Sequence, residues 1–476
     1  MGHVSDGRPA RGLRARSRDV LSYGPMATGD ALFRGHPRGL FYLAFTEAWE
    51  RFSYYGMTAL LALYMIDQLL LPGHVEHVAG FESLRHSLEF FAGPLSNQAL
   101  AARVVGLYTG FVYFTPLLGG LIADRWIGQR NAVVIGAVSM SAGHLAMTFD
   151  RGFLPALLLL VAGSGFLKGN ISAQVGALYP PDDEARRTHG FVIFSTGINV
   201  GSVLGPVLCG LLAQLYGWSY GFGIAAVFMM FGLATYLYGY RYLPARVDPP
   251  ASESGRLTRA DWHIIAVLGT VIGLSVFQST AYYQVFNVFP VWMQHRVQPT
   301  VAGFHVPIPW YIALNSFICI VAVPPLLWAW RQQASRGGEP EDVTKIGIGA
   351  WLTAGGNLIL VAGCVLSGEA LVNPVWPILY SVIIGVAFLY QWPTLLALVS
   401  RSAPAIVNST MMGIVFMSLF VSNILIGWIG GYYERMSPAA FWGIHVVIGA
   451  AGGMLLLIFG HRLTRALRAT SPGALS

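Results

Sequence analysis

The chain has 476 residues, 55% of them hydrophobic and only 11% charged, with a net charge of +7. Soluble domains carry roughly a quarter charged residues, so a deficit spread along the whole length argues against a soluble enzyme or nucleic-acid-binding protein and for a polytopic membrane protein. Cys209, Cys319 and Cys364 all stand in apolar runs without paired spacing, so neither a disulfide framework nor a metal site is expected.

In chain order, residues 1–38 form a basic tail with no apolar segment behind it, which reads as a cytoplasmic tail and not as a cleavable signal peptide. A hydrocarbon core about 30 Å thick takes roughly 20 apolar residues per helix. On that measure twelve spans are expected, at about 39–67, 101–123, 131–149, 154–178, 189–215, 218–242, 262–294, 306–330, 345–367, 374–400, 407–431 and 437–461. The connection at about 68–100 contains FESLRHSLEFF, which reads as an interfacial helix. The polar linker 244–261 divides the chain into a six-helix bundle over 39–243 and another over 262–465, followed by a short tail at 466–476. Such a division fits a transporter built of two bundles. Arginine and lysine gather in the tails and in every second connection, which predicts that both termini are cytoplasmic.

Inside these spans charge is rare. The first span, however, contains Glu47, Glu50 and Arg51 in EAWERFSYYGMTALLALYM. Residues three and four apart share one helix face, and ionisable groups in a membrane face a partner or a wet cavity. A neutralised structural ion pair is one reading. The other is a proton-titratable pair beside a substrate cavity, favoured by the surplus acid, because two neighbouring carboxylates in a low-dielectric site cannot both stay ionised cheaply. Their titration would be coupled. Lys168 in FLKGNIS is a second intramembrane cation, and with Arg51 it suits an anionic group such as a carboxylate. His144 and His445 read as packing residues.

The run Glu47-x-x-Glu50-Arg51-Phe52-x-Tyr54-Tyr55-Gly56 resembles the first-helix signature ExxERFxYYG of the proton-dependent oligopeptide transporters, a branch of the major facilitator superfamily. Three further blocks are similar in order and spacing. GGLIADRWIGQR resembles the cytoplasmic loop motif between helices two and three, with Gly119, Gly120, Asp124, Arg125 and Arg130. GSGFLKGNISAQVGALYP and FVIFSTGINVGSVLGP resemble the fourth and fifth helices, with Lys168 and Asn199. VPIPWYIALN resembles the start of the eighth helix, with Trp310 and Asn315. The acid and arginines of the loop motif suit a charge clasp that breaks and reforms as the bundles rock, with ordinary positive-inside topology as the plainer reading. Its glycines suit close helix approach.

The resemblance implies an all-α membrane protein with the major facilitator fold, importing di- and tripeptides with protons by alternating access. It implies proton coupling through Glu47 and Glu50, carboxylate recognition by Arg51 and Lys168, a cavity lined by Tyr54, Tyr55 and Tyr113, and hydrogen bonds from Asn199 and Asn315. The C-terminal half departs from the pattern, since its spans contain no interior acid. Tyr283 stands at the acidic position of the seventh helix, followed by the retained Gln284. Phe388 stands at the acidic position of the tenth, with Trp392 at the usual serine. An unpaired ammonium in a dry cavity costs several kcal/mol, so a cation–π contact worth about 0.5–2 kcal/mol could partly replace the missing carboxylate. A non-peptide or N-modified anionic, partly hydrophobic solute is therefore the alternative substrate. No cofactor and no enzymatic activity are expected, since the chain has no HExxH, nucleophile elbow or phosphate loop. The expected partners are a small peptide, protons and the lipid bilayer of the cell membrane, with no nucleic acid, and the expected state is a monomer.

Overall fold

The computed structural model describes residues 32–33, 35–180, 183–244, 257–301 and 303–469. The tails and the linker named above fall largely outside these residues. The first half contains α1 (Arg38–Tyr64), α2 (Phe81–Ala92), α3 (Asn97–Ile122), α4 (Gln129–Ala146), α5 (Phe153–Ala177), α6 (Glu184–Tyr216) and α7 (Trp218–Gly239). The second contains α8 (Arg259–Tyr283), α9 (Val288–Arg296), α10 (Pro309–Val321), α11 (Val323–Ser335), α12 (Asp342–Ser367), α13 (Val375–Ser402), α14 (Asn408–Gly430) and α15 (Pro438–Ala469). Strands are confined to two small hairpins, one before α1 and one between α9 and α10.

Local chemistry sets most boundaries. Ser96 caps α3 by accepting from Ala99 N, Asp183 caps α6 from Arg186 N, and Thr258 forms a capping box with Asp261 ahead of α8. Gly217, at φ 100°, makes the one-residue turn between α6 and α7. FESLRHSLEFF lies in α2. Two expected spans are interrupted. The seventh breaks at the tight turn Gln284–Phe286, and the eighth bends by 40° between α10 and α11. Pro324 and Pro325 open α11, where each lacks an N–H to continue the ladder from α10.

Among the described residues nine helices are long and apolar enough to cross a membrane, or ten with α10 and α11 taken as one bent span. The helices of each half pack chiefly on one another: α1 on α6 and α7, α5 on α3 and α4, α12 on α13 and α15, and α8 on α14 and α15. The main contacts between the halves run through α3 with α14 and α6 with α10.

The two ends of the assembly differ. The terminal face gathers the start of α1, the start of α12 and the ends of α13 and α15, with Arg401 paired to Asp342 and Arg468 paired to Glu341, each at 2.5 Å. At the far face the halves are joined by Gln294 donating to Asp67 (2.8 Å), Gln98 to the Gly430 carbonyl (3.1 Å), Trp310 to the Val207 carbonyl (3.0 Å) and Ser96 to Glu434. There α3 and α14 touch backbone to backbone, since a Cβ on Gly106 would stand 2.6 Å from the Asn423 carbonyl. Among the described residues, no side-chain hydrogen bond joins the halves nearer the terminal face than the Tyr113–Tyr283 pair. The far face is closed.

Candidate functional site

The site is built on α1, and α6 fixes where α1 lies. Gly197, Gly201 and Gly205 form a stripe every four residues on α6. A Cβ at these positions would stand 2.6, 2.3 and 2.2 Å from the carbonyl oxygens of Ala44, Ala48 and Phe52. Small residues let helix backbones touch in this way, and the contact brackets Glu47, Glu50 and Arg51 on α1.

These three side chains converge. Arg51 Nε lies 2.9 Å from Glu47 Oε1 and 2.6 Å from Glu50 Oε2, and all three residues are buried. Only the Glu47 contact is aligned as a hydrogen bond. Glu47 Oε2 and both Glu50 oxygens have no hydrogen-bond partner among the described residues. Buried carboxylate oxygens without donors are costly.

Lys168 of α5 lies beside the triad but outside its pairing. Its Nζ stands 4.3 Å from the Tyr54 ring centroid and 5.3 Å from that of Tyr113, and it makes no ion pair among the described residues. Arg51 Cζ lies 5.7 Å from the same Tyr54 ring, so this ring serves two cations. Aromatic faces attract cations through their quadrupole.

From Tyr113 the aromatic lining crosses to the second half. The Tyr113 and Tyr283 hydroxyls meet at 3.3 Å, and Tyr283 adjoins Tyr282 with ring centroids 5.1 Å apart. Tyr282 stacks on Phe388 at 5.3 Å and donates to Asn315 Oδ1 at 3.4 Å. Asn315 Nδ2 has no partner among the described residues. Tyr55 approaches the lining through Phe286, at 6.1 Å.

The remaining sequence candidates stand differently. Trp392 packs on Phe416. Gln284 donates to the Ile426 carbonyl at 3.2 Å, and so helps tie the break after α8 to α14. The half-buried Asn199 accepts from Ser202 Oγ through its backbone carbonyl. In the loop motif Asp124 accepts from Gln129 at 3.2 Å, and Arg130 lies over Tyr240 at 4.9 Å. No ion pair joins Asp124 to Arg125 or Arg130 among the described residues. Gly119 packs against the Gly165 carbonyl of α5, Gly120 meets nothing within 4 Å, and Gly128 turns the chain at φ +75°. His144 is buried without a side-chain partner, and His445 Nδ1 lies 2.9 Å from the Phe441 carbonyl.

Three contributors escaped the sequence reading: Tyr282, Phe286 and Asn287, the last donating to the Ala102 and Ile426 carbonyls. The doublet in YYQVFN was a visible signal for Tyr282. A break inside an apolar run left none for Asn287.

The family model of the Major Facilitator Superfamily matches residues 50–427. The chain belongs to this superfamily. The uncharacterized transporter YclF of Bacillus subtilis is 27% identical, over 92% of this chain and 96% of that protein, and two further relatives are named as peptide transporters. The peptide transporter YePEPT of Yersinia enterocolitica is 28% identical, over 91% of this chain and 96% of that protein. The di-/tripeptide transporter of Lactococcus lactis subsp. cremoris is 29% identical, over 90% and 95%. A crystal structure of a peptide transporter POT in complex with sulfate superposes with a TM-score of 0.81 at 25% identity, covering 92% of this chain and 97% of the other. This superfamily member thus has a helical fold similar to that of the POT peptide transporters.

Proposed function

We propose that the protein is a symporter that couples protons to the movement of di- and tripeptides by alternating access. The observation that carries this reading is the buried Glu47–Arg51–Glu50 group beside an unpaired Lys168. Two cations suit one substrate carboxylate, and two carboxylates around one arginine suit one exchangeable proton.

In this account Lys168 draws the peptide carboxylate from its place on Tyr54 and Tyr113. Protonation of the Glu47/Glu50 pair weakens its hold on Arg51, whose guanidinium then turns to the same carboxylate in a forked contact. With substrate and proton bound, the halves rock and the far-face contacts exchange for contacts at the terminal face. Asp124, Arg125 and Arg130 serve this motion as a clasp that forms when the terminal face closes, with Gly119 allowing the close approach of α3 and α5. Asn199, Asn315, Gln284 and Trp392 complete the wall against which the peptide lies.

The reading includes a topology. We take α1 and α4 as two further spans, for twelve in all: α1 owes its low apolarity to Arg38, Glu47, Glu50 and Arg51, and α4 has 18 residues packed on α5 and α7. The spans form two bundles, over 39–243 and 262–465, with both chain ends cytoplasmic and the far face extracellular. The protein then sits in the cell membrane as a monomer, closed outward and performing no covalent chemistry. A non-peptide or N-modified anion is the weaker reading, because the matched relatives whose names state a substrate are peptide transporters.

The test is uptake of radiolabelled Ala-Phe into proteoliposomes. Accumulation under an inward proton gradient, abolished by collapsing it, supports the reading. Failure to take up any di- or tripeptide under that gradient overturns it.

A further inference from the structure

The site is chemically lopsided. Among the described residues its cations and its carboxylates lie on the first half, where both glutamates already face Arg51. On the second half the described acids lie at helix starts, in loops or in turns: Asp261 and Asp342 in the first turns of α8 and α12, Glu339 and Glu341 just before α12, Glu369 and Glu434 in turns. A peptide whose carboxylate rests at Lys168 and Arg51 must point its ammonium at a wall without counter-charge.

That wall is aromatic. Beyond the Tyr113–Tyr283 contact, Tyr282 and Phe388 follow in two ring steps of 5.1 and 5.3 Å. Tyr282 is held in place by its bond to Asn315, whereas Phe388 is only half-buried. The same cavity already holds a cation in this manner, since Lys168 rests on Tyr54 and Tyr113.

Resting on the peptide reading above, we infer that the substrate ammonium is held on the ring faces of Phe388 and Tyr282, so that peptides with N-terminally methylated ammonium groups are also substrates. A carboxylate site needs N–H donors and rejects a quaternary nitrogen. A ring face needs only positive charge, and aromatic recognition of quaternary ammonium groups works in this way. The specificity of the second half is therefore for charge and not for N–H.

The experiment measures competition against radiolabelled Ala-Phe by three probes: unlabelled Ala-Phe, N,N,N-trimethyl-Ala-Phe and the des-amino analogue propionyl-Phe. The trimethyl peptide should inhibit within about threefold of Ala-Phe and be transported, while the uncharged analogue should be weaker by about 2- to 30-fold. Phe388→Leu should weaken both charged peptides by that factor and leave propionyl-Phe unchanged. Phe388→Trp, which keeps a ring face, should retain the preference for charge. Failure of the trimethyl peptide to compete, equal binding of propionyl-Phe by the wild type, or equal weakening of all three probes by Phe388→Leu overturns the inference. Each of these results presupposes measurable Ala-Phe uptake, so they are distinct from a failure of the peptide reading itself.

Discussion

The hydroxyls of Tyr113 and Tyr283 meet at 3.3 Å across the seam between the two halves. The pair is neutral, and it stands where the sequence places no acid to form a charged latch. A net hydrogen bond contributes about 0.5–1.5 kcal/mol. Tyr283→Phe should therefore shift the balance away from the far-face-closed arrangement by no more than about tenfold. Distances between spin labels on the far-face ends of α3 and α14 would read this shift, with the thermal midpoint nearly unchanged. Loss of folding in Tyr283→Phe would contradict the proposed role.

Arg51 stands 2.9 and 2.6 Å from two buried carboxylates. Arg51→Gln leaves them facing each other without a cation, and removing one partner of a buried ion pair costs about 3–5 kcal/mol. Protonating either glutamate relieves the repulsion. The loss should thus be largest at alkaline pH and shrink as pH falls, as read by thermal unfolding in detergent across a pH series.

Much of the fold was legible because helical spans in lipid must satisfy their backbones internally, so apolar length reports them directly. The break at Gln284–Phe286 was hidden, because it is stabilised by Gln284 and Asn287 donating to distant carbonyls on α3 and α14. In the site, the charges of α1 announced themselves by their cost at that depth. Tyr282 and Phe286 did not, since an aromatic in an apolar span looks the same whether it lines a cavity or fills a core.

The glycine stripe on α6 makes a separate prediction. In Gly201→Ala the new methyl would lie 2.3 Å from the Ala48 carbonyl and 2.8 Å from Arg51 Cβ, so α1 must shift. Overpacking of this kind costs about 1–3 kcal/mol, and uptake should fall more than folded yield because Arg51 moves with α1. Gly120→Ala, which meets nothing within 4 Å, should be silent in both assays.

Among the described residues Lys168 makes no ion pair. Lys168→Gln should raise the KM for Ala-Phe by roughly 10- to 100-fold, the equivalent of a charged hydrogen bond worth about 1.5–3 kcal/mol. Concentration-dependent uptake at saturating proton gradient would separate this effect from a change in kcat. Unchanged KM would remove Lys168 from the substrate site.

The central claim is that the Glu47/Glu50 pair carries the proton that drives the substrate. Proteoliposome uptake by Glu50→Gln, compared with and without an inward proton gradient, tests it most directly. The account predicts that gradient-driven accumulation of Ala-Phe is lost while peptide exchange at equal pH persists. Full retention of the gradient response in Glu50→Gln would contradict it.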